Sequence, residues 1–433
     1  MVAHDDPRSI GGGLALGIDI GTSGVRAALL RLDGECMAFE ARRFPADSQR
    51  DPAAWRQSLA EALLALPGPG RVRAVAVDGT SGTMLAVDGS GEPIGPPIMY
   101  DERVADADLV ARLDGLAPKD GVARGSGSAA ARACVLAGRP GAVRVLHQAD
   151  WIVGLLTGRL DRSDETNVLK TGYDPIARAW PDWLGEAGVP VELLPEVVPV
   201  GEPLAELSSQ GAAFSGLRRG TTVVAGTTDG CASFLATGAS RPGDGVTALG
   251  STLVIKLLSD RPVFAPAYGV YSHRVGNMWL AGGASNTGGR VLAAHFRPEE
   301  IEELSAGIDP AADVAEACYP LLEPGERFPR NDAALAPVMP RSTDPSVRLH
   351  AMLDGMARIE AEGYARLATL GAPDVTRVLT VGGGAANAAW SALRARHLSV
   401  PVESAQVTEA AIGTARIALA HMREVPLDRL VAA

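Results

Sequence analysis

The sequence predicts an α/β protein made of two similar halves. In each half an apolar run ends in a glycine and two hydroxyl residues and then continues as a second apolar run, first around Gly21 and again around Gly250. Patterns of strand, turn and strand indicate β-hairpins, and segments with helical spacing lie between and after them. The simplest interpretation is a duplicated architecture whose halves begin near residue 14 and near residues 221–246.

The first half opens with two strands. Apolar runs at 14–20 and 25–32 predict a hairpin whose turn is the segment 21–24. Further β-rich runs at 72–77 and 84–87 end in glycine and hydroxyl residues or in Asp-Gly, which are typical of turns. The first half is therefore expected to contain a sheet that includes the opening hairpin.

Helices are predicted between the two halves. The sequence favours helices separated by glycine and proline from about 105 to 157, with apolar residues at helical spacing over 143–156. Residues 174–203 are rich in proline and tryptophan, so we expect a packed connecting loop there.

The second half restarts the strand pattern. We predict a buried strand at 221–225, a turn at 226–230 and a short helix at 231–237. The runs at 246–250 and 253–258 then predict a second hairpin.

The C-terminal region combines a helix with a glycine loop. Residues 345–370 carry apolar side chains along one face, which predicts a long amphipathic helix. A strand at 378–381, a glycine loop at 382–387 and a helix from Ala388 onward follow.

Composition excludes several classes of protein. The 433 residues suggest two or three domains. Forty basic and 51 acidic side chains give a net charge of −11, which argues against a nucleic-acid partner. The four cysteines are scattered and form no Cys-x-x-Cys pair, so neither a disulfide framework nor a zinc knuckle is expected. The polar N-terminal segment and the absence of a long apolar stretch predict a cytoplasmic protein without a membrane partner.

The two hairpin turns suit a phosphate. Small residues leave backbone N–H groups and hydroxyls open to a ligand. Asp19 lies two residues before the first turn and could face a nucleotide-bound Mg²⁺, directly or through water, because hard cations take oxygen ligands. A plain hairpin with an aspartate near its end is the alternative. The turn residues are Gly21, Thr22, Ser23, Gly250, Ser251 and Thr252.

Asp229 follows the buried strand and precedes a helix. One interpretation is a helix N-cap that accepts backbone N–H bonds. The other is a carboxylate that receives the proton of an attacking hydroxyl in phosphoryl transfer, where the nucleophile needs orientation more than early deprotonation.

The glycine loop has two interpretations. Gly382-x-Gly384-x-x-Asn387 nearly matches a dinucleotide fingerprint, and Glu403 lies about where a ribose-binding acid would be. The third position is asparagine, however, and little chain remains for a dinucleotide-binding sheet. A purine slot, with glycines under the base and Asn387 at its edge, therefore fits better.

Taken together, these residues resemble the FGGY family of carbohydrate kinases, in the actin, sugar kinase and Hsp70 ATPase superfamily. The segments that carry the resemblance are 19–23 (DIGTS), 97–103 (PIMYDER), 150–158 (DWIVGLLTG), 225–232 (AGTTDGCA), 249–252 (LGST), 282–286 (GGASN) and 382–387 (GGGAAN).

The resemblance implies two ribonuclease-H-like domains that flank a cleft. Residues 1–226 would hold the sugar and the first phosphate turn, and residues 227–433 the second phosphate turn and the adenosine pocket. ATP with Mg²⁺ would phosphorylate a hydroxyl of a small sugar or polyol. The family likeness also allows a homodimer.

The resemblance also implies roles for single residues. Asp229 would be the catalytic base, and Asp19 would support the metal and the substrate. The implied sugar contacts are Ser23, Asp78, Ser81, Asp101 and Asp229. The implied ATP contacts are Gly21, Thr22, Ser23, Gly250, Ser251, Thr252, Asn286, Gly383, Gly384, Asn387 and Trp390.

The loop at 78–83 bears on the substrate. Its sequence, DGTSGT, differs from the Gln-Met-His-Gly of xylulokinases and the Asn-Gln-Arg-Glu of glycerol kinases, and it resembles that of D-ribulokinase-like members. A ketopentose, preferably D-ribulose, is therefore implied. D-xylulose, a glycerol-type polyol or a non-enzymatic, sugar-sensing actin-like ATPase are the alternatives. Ser81 could simply form a turn, and Asp101 could form a solvated ion pair with Arg103.

Overall fold

The computed structural model describes residues 12–119, 121–314 and 316–430. Its strands are β1 (Leu14–Ile20), β2 (Gly24–Leu30), β3 (Cys36–Arg43), β4 (Val72–Gly79), β5 (Met84–Val87), β6 (Arg144–His147), β7 (Arg162–Asp164), β8 (Glu196–Val198), β9 (Pro203–Glu206), β10 (Thr222–Thr228), β11 (Asp244–Leu249), β12 (Leu253–Ser259), β13 (Tyr271–Val275), β14 (Met278–Ser285), β15 (Arg377–Val381) and β16 (Val402–Ser404).

Its helices are α1 (Pro52–Ala65), α2 (Ala107–Leu116), α3 (Ala129–Ala137), α4 (Gln148–Thr157), α5 (Asp182–Glu186), α6 (Ser209–Ser215), α7 (Asp229–Ala236), α8 (Gly289–Ala293), α9 (Pro298–Ser305), α10 (Pro345–Thr369), α11 (Ala388–Leu398), α12 (Ala410–Arg423) and α13 (Leu427–Leu430). None of the helices described is both long enough and apolar enough to cross a membrane.

Two six-stranded sheets share one topology over five strands and differ in the edge at which the sixth strand lies. Their strand orders are β3-β2-β1-β4-β10-β9 and β13-β14-β12-β11-β15-β16. In each sheet an antiparallel hairpin, β1 with β2 or β11 with β12, lies beside two parallel strands, β4 and β10 or β15 and β16. The predicted α/β fold with a duplicated architecture is confirmed.

Helix α12 joins the end of the chain to the first sheet. It packs on β1 and β4 and also against α7. Glycines permit this close approach, because a Cβ at Gly17 would lie 2.0 Å from the carbonyl oxygen of Ala411, and one at Gly413 would lie 1.9 Å from that of Ala232. The packing brings C-terminal side chains beneath the carboxyl edge of the first sheet.

The predicted turn at 226–230 is wrong. Strand β10 continues to Thr228, and α7 begins directly at Asp229. A Cβ at Gly226 would lie 1.8 Å from the carbonyl oxygen of Val77. The glycine is therefore required for close strand packing against β4, and local sequence cannot distinguish that requirement from a turn.

The helical interpretation of 143–156 is wrong in its first part. Residues Arg144–His147 form β6, which pairs with β5, and α4 begins at Gln148. A short apolar run fits a buried strand or a buried helix equally well. The predicted loop at 174–203 likewise contains the short elements α5 and β8.

The boundary between the predicted domains falls close to the link between the sheets. The first sheet ends with β10 and the second begins with β11 at Asp244. Since α12 returns to the first sheet, the division into 1–226 and 227–433 stays a prediction.

Candidate active site

Three aspartates meet at the carboxyl edge of the first sheet. Asp19 of β1 is paired in register with Asp78 of β4, and Asp78 is paired with Thr227 of β10. Asp229 is the first residue of α7, immediately after β10. Because these three strands are parallel, their carboxyl ends place the side chains at one edge, where α/β sheets bind ligands.

Asp229 is not the N-cap of α7, since that position belongs to Thr228. Its Oδ1 accepts a hydrogen bond from the Gly230 N–H at 2.7 Å, and the residue is half-buried. The carboxylate therefore keeps an oxygen for a ligand at the start of a helix, where the macrodipole favours negative charge.

Asp19 and Asp78 form a buried acid pair. Arg26 Nη1 donates to Asp19 Oδ2 at 3.0 Å, and Thr414 of α12 donates to Asp78 Oδ2. Burial and the negative charges of Asp19 and Asp229 raise the pKa of Asp78 well above its ordinary value. Burial also raises the pKa of Asp19, and the Arg26 charge opposes that rise. The rise is the larger for Asp78, so Asp78 is the member of the pair that takes up a proton more readily.

Asp78 is fully buried in this arrangement. It has no exposed surface and is covered by α12. Such burial fits a support beneath Asp19, while Asp78 Oδ1 has no hydrogen-bond partner among the described residues, so the sugar contact at Asp78 stays a prediction. Sequence patterns did not indicate Thr414, because its partner lies 336 positions away.

The first turn presents its hydroxyls to solvent. The Gly21 N–H donates to the Gly24 carbonyl oxygen at 3.0 Å, which closes the turn, and Thr22 and Ser23 are exposed. The turn can therefore offer two hydroxyls to a ligand without any rearrangement of the backbone.

The second turn connects β11 to β12 and is stabilised by hydrogen bonds from the segment that begins α8. The N–H groups of Gly289 and Arg290 donate to the carbonyl oxygens of Gly250 and Ser251 at 2.8 and 3.0 Å. Gly250 and Ser251 are exposed, whereas Thr252 is half-buried. The structure thus places a second small-residue turn at the end of the equivalent hairpin.

Asn286 lies at the end of β14, close to the second turn. Its Nδ2 donates to the Gly325 carbonyl oxygen at 2.9 Å, and its N–H donates to Glu326 Oε1 at 2.9 Å. The residue is exposed, so its amide oxygen can still accept a hydrogen bond from a nucleotide.

The glycine loop after β15 presents backbone rather than side chains. Gly382 has a φ of +88°, and a Cβ at Gly383 would meet no atom within 4 Å. A Cβ at Gly384 would lie 2.6 Å from the Trp390 ring. The loop therefore has an open side at Gly383 and a packed side at Gly384.

Asn387 and Trp390 support this loop from behind. Asn387 Oδ1 caps α11 by accepting from the Trp390 N–H at 2.9 Å, and its Nδ2 donates to Ser305 Oγ at 2.8 Å. Trp390 is 3% exposed. These positions fit a scaffold for the glycines, and their direct border with adenine stays a prediction.

The loop at 78–83 contains an unsatisfied hydroxyl. Within the described ranges, the buried Oγ of Ser81 has no hydrogen-bond partner. A buried hydroxyl without a partner costs free energy, so this atom is a candidate contact for a ligand. Asp101 and Arg103 are both exposed, and the ion pair considered for them is absent from the part of the chain that the structure describes.

Arg132 connects the loop at 78–83 to the segments around Tyr100 and Gly127. The sequence patterns did not identify it. It is 2% exposed and donates to the carbonyl oxygens of Gly82, Glu102 and Gly127 at 2.9 to 3.0 Å. It also donates to the Tyr100 carbonyl oxygen at 2.5 Å. The only available signal was a single charge within the apolar helix α3.

The residues fit a magnesium ion that arrives with a nucleotide. No group of three or more metal-binding side chains occurs among the residues that the structure describes. A nucleotide-bound Mg²⁺ needs only one or two carboxylates besides phosphate and water. Asp19, whose carboxylate pairs with the Arg26 guanidinium at 3.0 Å, meets that need.

Comparison with known proteins yields one family match. Residues 245–422 match the C-terminal domain of the FGGY family of carbohydrate kinases. The chain is 27% identical over 432 residues to xylulose kinase of Streptomyces coelicolor, with 93% of this chain and 87% of that protein covered. It is also 27% identical over 292 residues to autoinducer-2 kinase of Yersinia enterocolitica, with 62% and 55% covered. The chain therefore spans about half the length of the second relative.

Solved structures share the fold. Xylulose kinase from Rhodospirillum rubrum superposes with a TM-score of 0.83 at 24% identity, over 97% of this chain and 92% of that one. A glycerol kinase from Plasmodium falciparum superposes with a TM-score of 0.80 at 13% identity, over 97% and 92%. The expected architecture of two domains of the sugar kinase type is confirmed.

Proposed function

We propose that this chain, which carries the C-terminal domain of the FGGY carbohydrate kinases at residues 245–422, transfers the γ-phosphoryl group of ATP to a sugar hydroxyl. The meeting of the two sheets at Asp229 carries this proposal. Lys256 of β12, in the second sheet, donates to the carbonyl oxygen of Gly230, the residue after Asp229. The acidic edge of the first sheet, formed by Asp19, Asp78 and Asp229, and the hairpin of β11 and β12 therefore lie on either side of one candidate binding site.

Asp229 acts as the base in this proposal. It orients the attacking hydroxyl and receives its proton as the O–P bond forms and the bond to the ADP oxygen breaks. A weak base suffices, because the transition state of phosphoryl transfer is loose. Asp19 lies beside it and can accept a hydrogen bond from a second hydroxyl.

The two turns hold the phosphates. Their N–H groups and hydroxyls stabilise the charge that develops on the transferred group, and Thr22 and Ser251 are exposed for this purpose. Magnesium bound with ATP would be held by Asp19, directly or through water, and would neutralise phosphate charge. The backbone at Gly383 offers a surface for the base.

The proposed acceptor is a ketopentose, with D-ribulose first. The sequence of the loop at 78–83 supports this choice, and Ser81 Oγ and the exposed Ser23 could bind its hydroxyls. D-xylulose is the second candidate, because a relative aligned over most of the chain is named a xylulose kinase. The cytoplasmic location and the homodimer stay predictions.

A coupled assay of ADP release tests the proposal. Purified protein with Mg²⁺ and ATP is offered D-ribulose, D-xylulose, L-ribulose and glycerol. We expect the largest stimulation with D-ribulose, and a larger response to D-xylulose would select the second candidate. ATP hydrolysis that no sugar or polyol stimulates would contradict kinase activity and favour a sugar-sensing ATPase.

A further inference from the structure

A small cavity lies on the second sheet near the candidate base. Its volume is about 100 Å³, and β12, β13 and β14 form its floor. The polar side chains that line it are Lys256, Tyr271, His273 and Arg327. Lys256 connects the cavity to Asp229, since its ammonium group donates to the carbonyl oxygen of Gly230.

His273 contributes an unsatisfied polar atom to this cavity. The residue is only 7% exposed, and across the described segments its Nε2 has no hydrogen-bond partner. Tyr271 packs edge to face against the ring, with the ring centroids 5.3 Å apart. Because a buried polar atom without a partner is costly, Nε2 indicates a group that binds there.

The charges around the cavity are positive. Lys170, Lys256 and Arg327 have no carboxylate within 4.0 Å among the residues with described side chains. Burial and then the charges of Lys256 and Lys170 lower the pKa of His273 well below its ordinary value. Two of the chain's three lysines therefore act on one histidine.

This surplus of positive charge favours an anionic ligand over a neutral one. A neutral imidazole can donate one N–H from Nε2, and an ammonium group is a strong donor to phosphate or carboxylate oxygens. A neutral sugar hydroxyl would not compensate the lysine charges. An oxyanion would do so and would also satisfy Nε2.

We propose that the cavity is an oxyanion subsite of the active site, in which Lys256 and His273 bind oxygens of a phosphoryl or carboxylate group. The inference rests on the proposed function and deepens it. The oxyanion could be the transferred phosphoryl group itself. It could also be an acidic group on the acceptor, which would extend the substrates from neutral ketopentoses to sugar acids.

Calorimetry with Lys256→Met tests the subsite without turnover. Methionine keeps the length of the side chain and removes its charge. The probes are inorganic phosphate and D-ribonate, a five-carbon sugar acid. We expect wild-type protein to bind at least one probe, and Lys256→Met to bind it at least 10-fold more weakly. Lys119→Met is the matched control, because Lys119 is exposed, and it should bind like wild type.

Two further variants and a measurement of nucleotide binding control for misfolding and for indirect effects of Lys256→Met. His273→Phe should weaken the same probe by several-fold, and Lys256→Arg should restore much of the affinity lost in Lys256→Met. All variants should bind MgADP within about twofold of wild type, which shows that their nucleotide site is intact. Equal probe affinities in wild type and Lys256→Met, or no binding of either probe to wild type, would overturn the subsite.

Kinetics then separate the two sources of the oxyanion. If the transferred phosphoryl group binds there, Lys256→Met lowers kcat for every acceptor with little change in KM. If the acceptor supplies the anion, the variant raises KM for D-ribonate at least 10-fold more than it raises KM for D-ribulose. Since binding of the probes requires no catalysis, a protein that fails the ADP-release assay can still confirm or exclude the subsite.

Discussion

The two sheets share a topology but differ in the side chains at equivalent positions. In the first sheet, Asp19 lies two residues before the turn glycine and is paired in register with Asp78. In the second sheet, Ala248 lies two residues before Gly250 and is paired with Val381. The shared scaffold can thus place a turn for phosphate in both halves, while the carboxylates occur in only one, as expected when function depends on site residues rather than on the fold.

The glycines of the two turns differ as well. A Cβ at Gly21, the equivalent of Gly250, would lie 3.0 Å from Nη1 of Arg26, the side chain that pairs with Asp19. At Gly250 an added Cβ would meet only the Thr252 carbonyl oxygen, at 3.9 Å, and its φ is not in the left-handed region. The protein itself therefore tolerates a side chain at Gly250, so a substitution there can test the predicted phosphate contact.

The largest expected effect is at the acidic edge. Asp229→Asn should lower kcat by roughly 10² to 10⁴, because the amide cannot accept the proton of the attacking hydroxyl. Steady-state kinetics with the best acceptor measures this loss. Asp260→Asn provides a control, since Asp260 is an exposed aspartate just after β12 and its substitution should leave kcat unchanged.

Folding must be intact in the Asp229 variant for the comparison to hold. We expect its thermal unfolding midpoint to match that of wild type within a few degrees. Turnover close to wild type would show that Asp229 is not the base. The carboxylates found in the first sheet alone would then not explain catalysis.

An intermediate effect is expected at the second turn. Gly250→Ala should fold normally, since no protein atom lies close to the added methyl group, but should raise KM for ATP by about 10-fold, equivalent to about 1.4 kcal/mol. The physical reason is that the methyl group limits how closely a phosphate approaches the backbone. An unchanged KM for ATP, in a variant with the wild-type unfolding midpoint, would argue against a phosphate at this turn.

The smallest expected effect concerns the pH dependence of stability. The pKa of Asp78 in the folded protein lies well above its ordinary value of 3.8, so its proton stabilises the fold fully below pH 3.8, and this stabilisation is lost as the pH rises through the folded-state pKa. The substitution Asp78→Asn removes this dependence, because an amide side chain does not ionise.

Urea unfolding of wild type and Asp78→Asn across this window measures the difference. The free energy of unfolding of wild type, relative to the variant, should fall as the pH rises from about 4. A difference that stays constant with pH would show that burial and the neighbouring carboxylates do not raise the pKa of Asp78.

Local patterns predicted much of the scaffold. Both hairpins, the long helix α10 and the strand before the glycine loop lie close to their predicted positions, because alternation and helical spacing reflect burial on one face. Asp229 was correctly placed between a strand and a helix. Errors arose where a glycine or a short apolar run had two structural meanings, as at Gly226 and over 144–147.

Residues that act through distant contacts could not be predicted in this way. Arg132 holds carbonyl groups that lie 5 to 50 positions away, and Lys256 reaches Gly230 from the other sheet. Neither contact has a periodic or local signature. Both depend on how helices and sheets pack after they form.

The sequence by itself determined the two glycine and hydroxyl turns, the order of strands and helices around them, and the identity of the candidate base. Only the tertiary structure decided that Asp78 is a buried partner of Asp19, that Trp390 supports the glycine loop, and that Lys256 and His273 border one cavity. The physical reason is that turns and periodic burial arise from neighbouring residues, whereas desolvation and charge at a site depend on atoms brought together from distant parts of the chain.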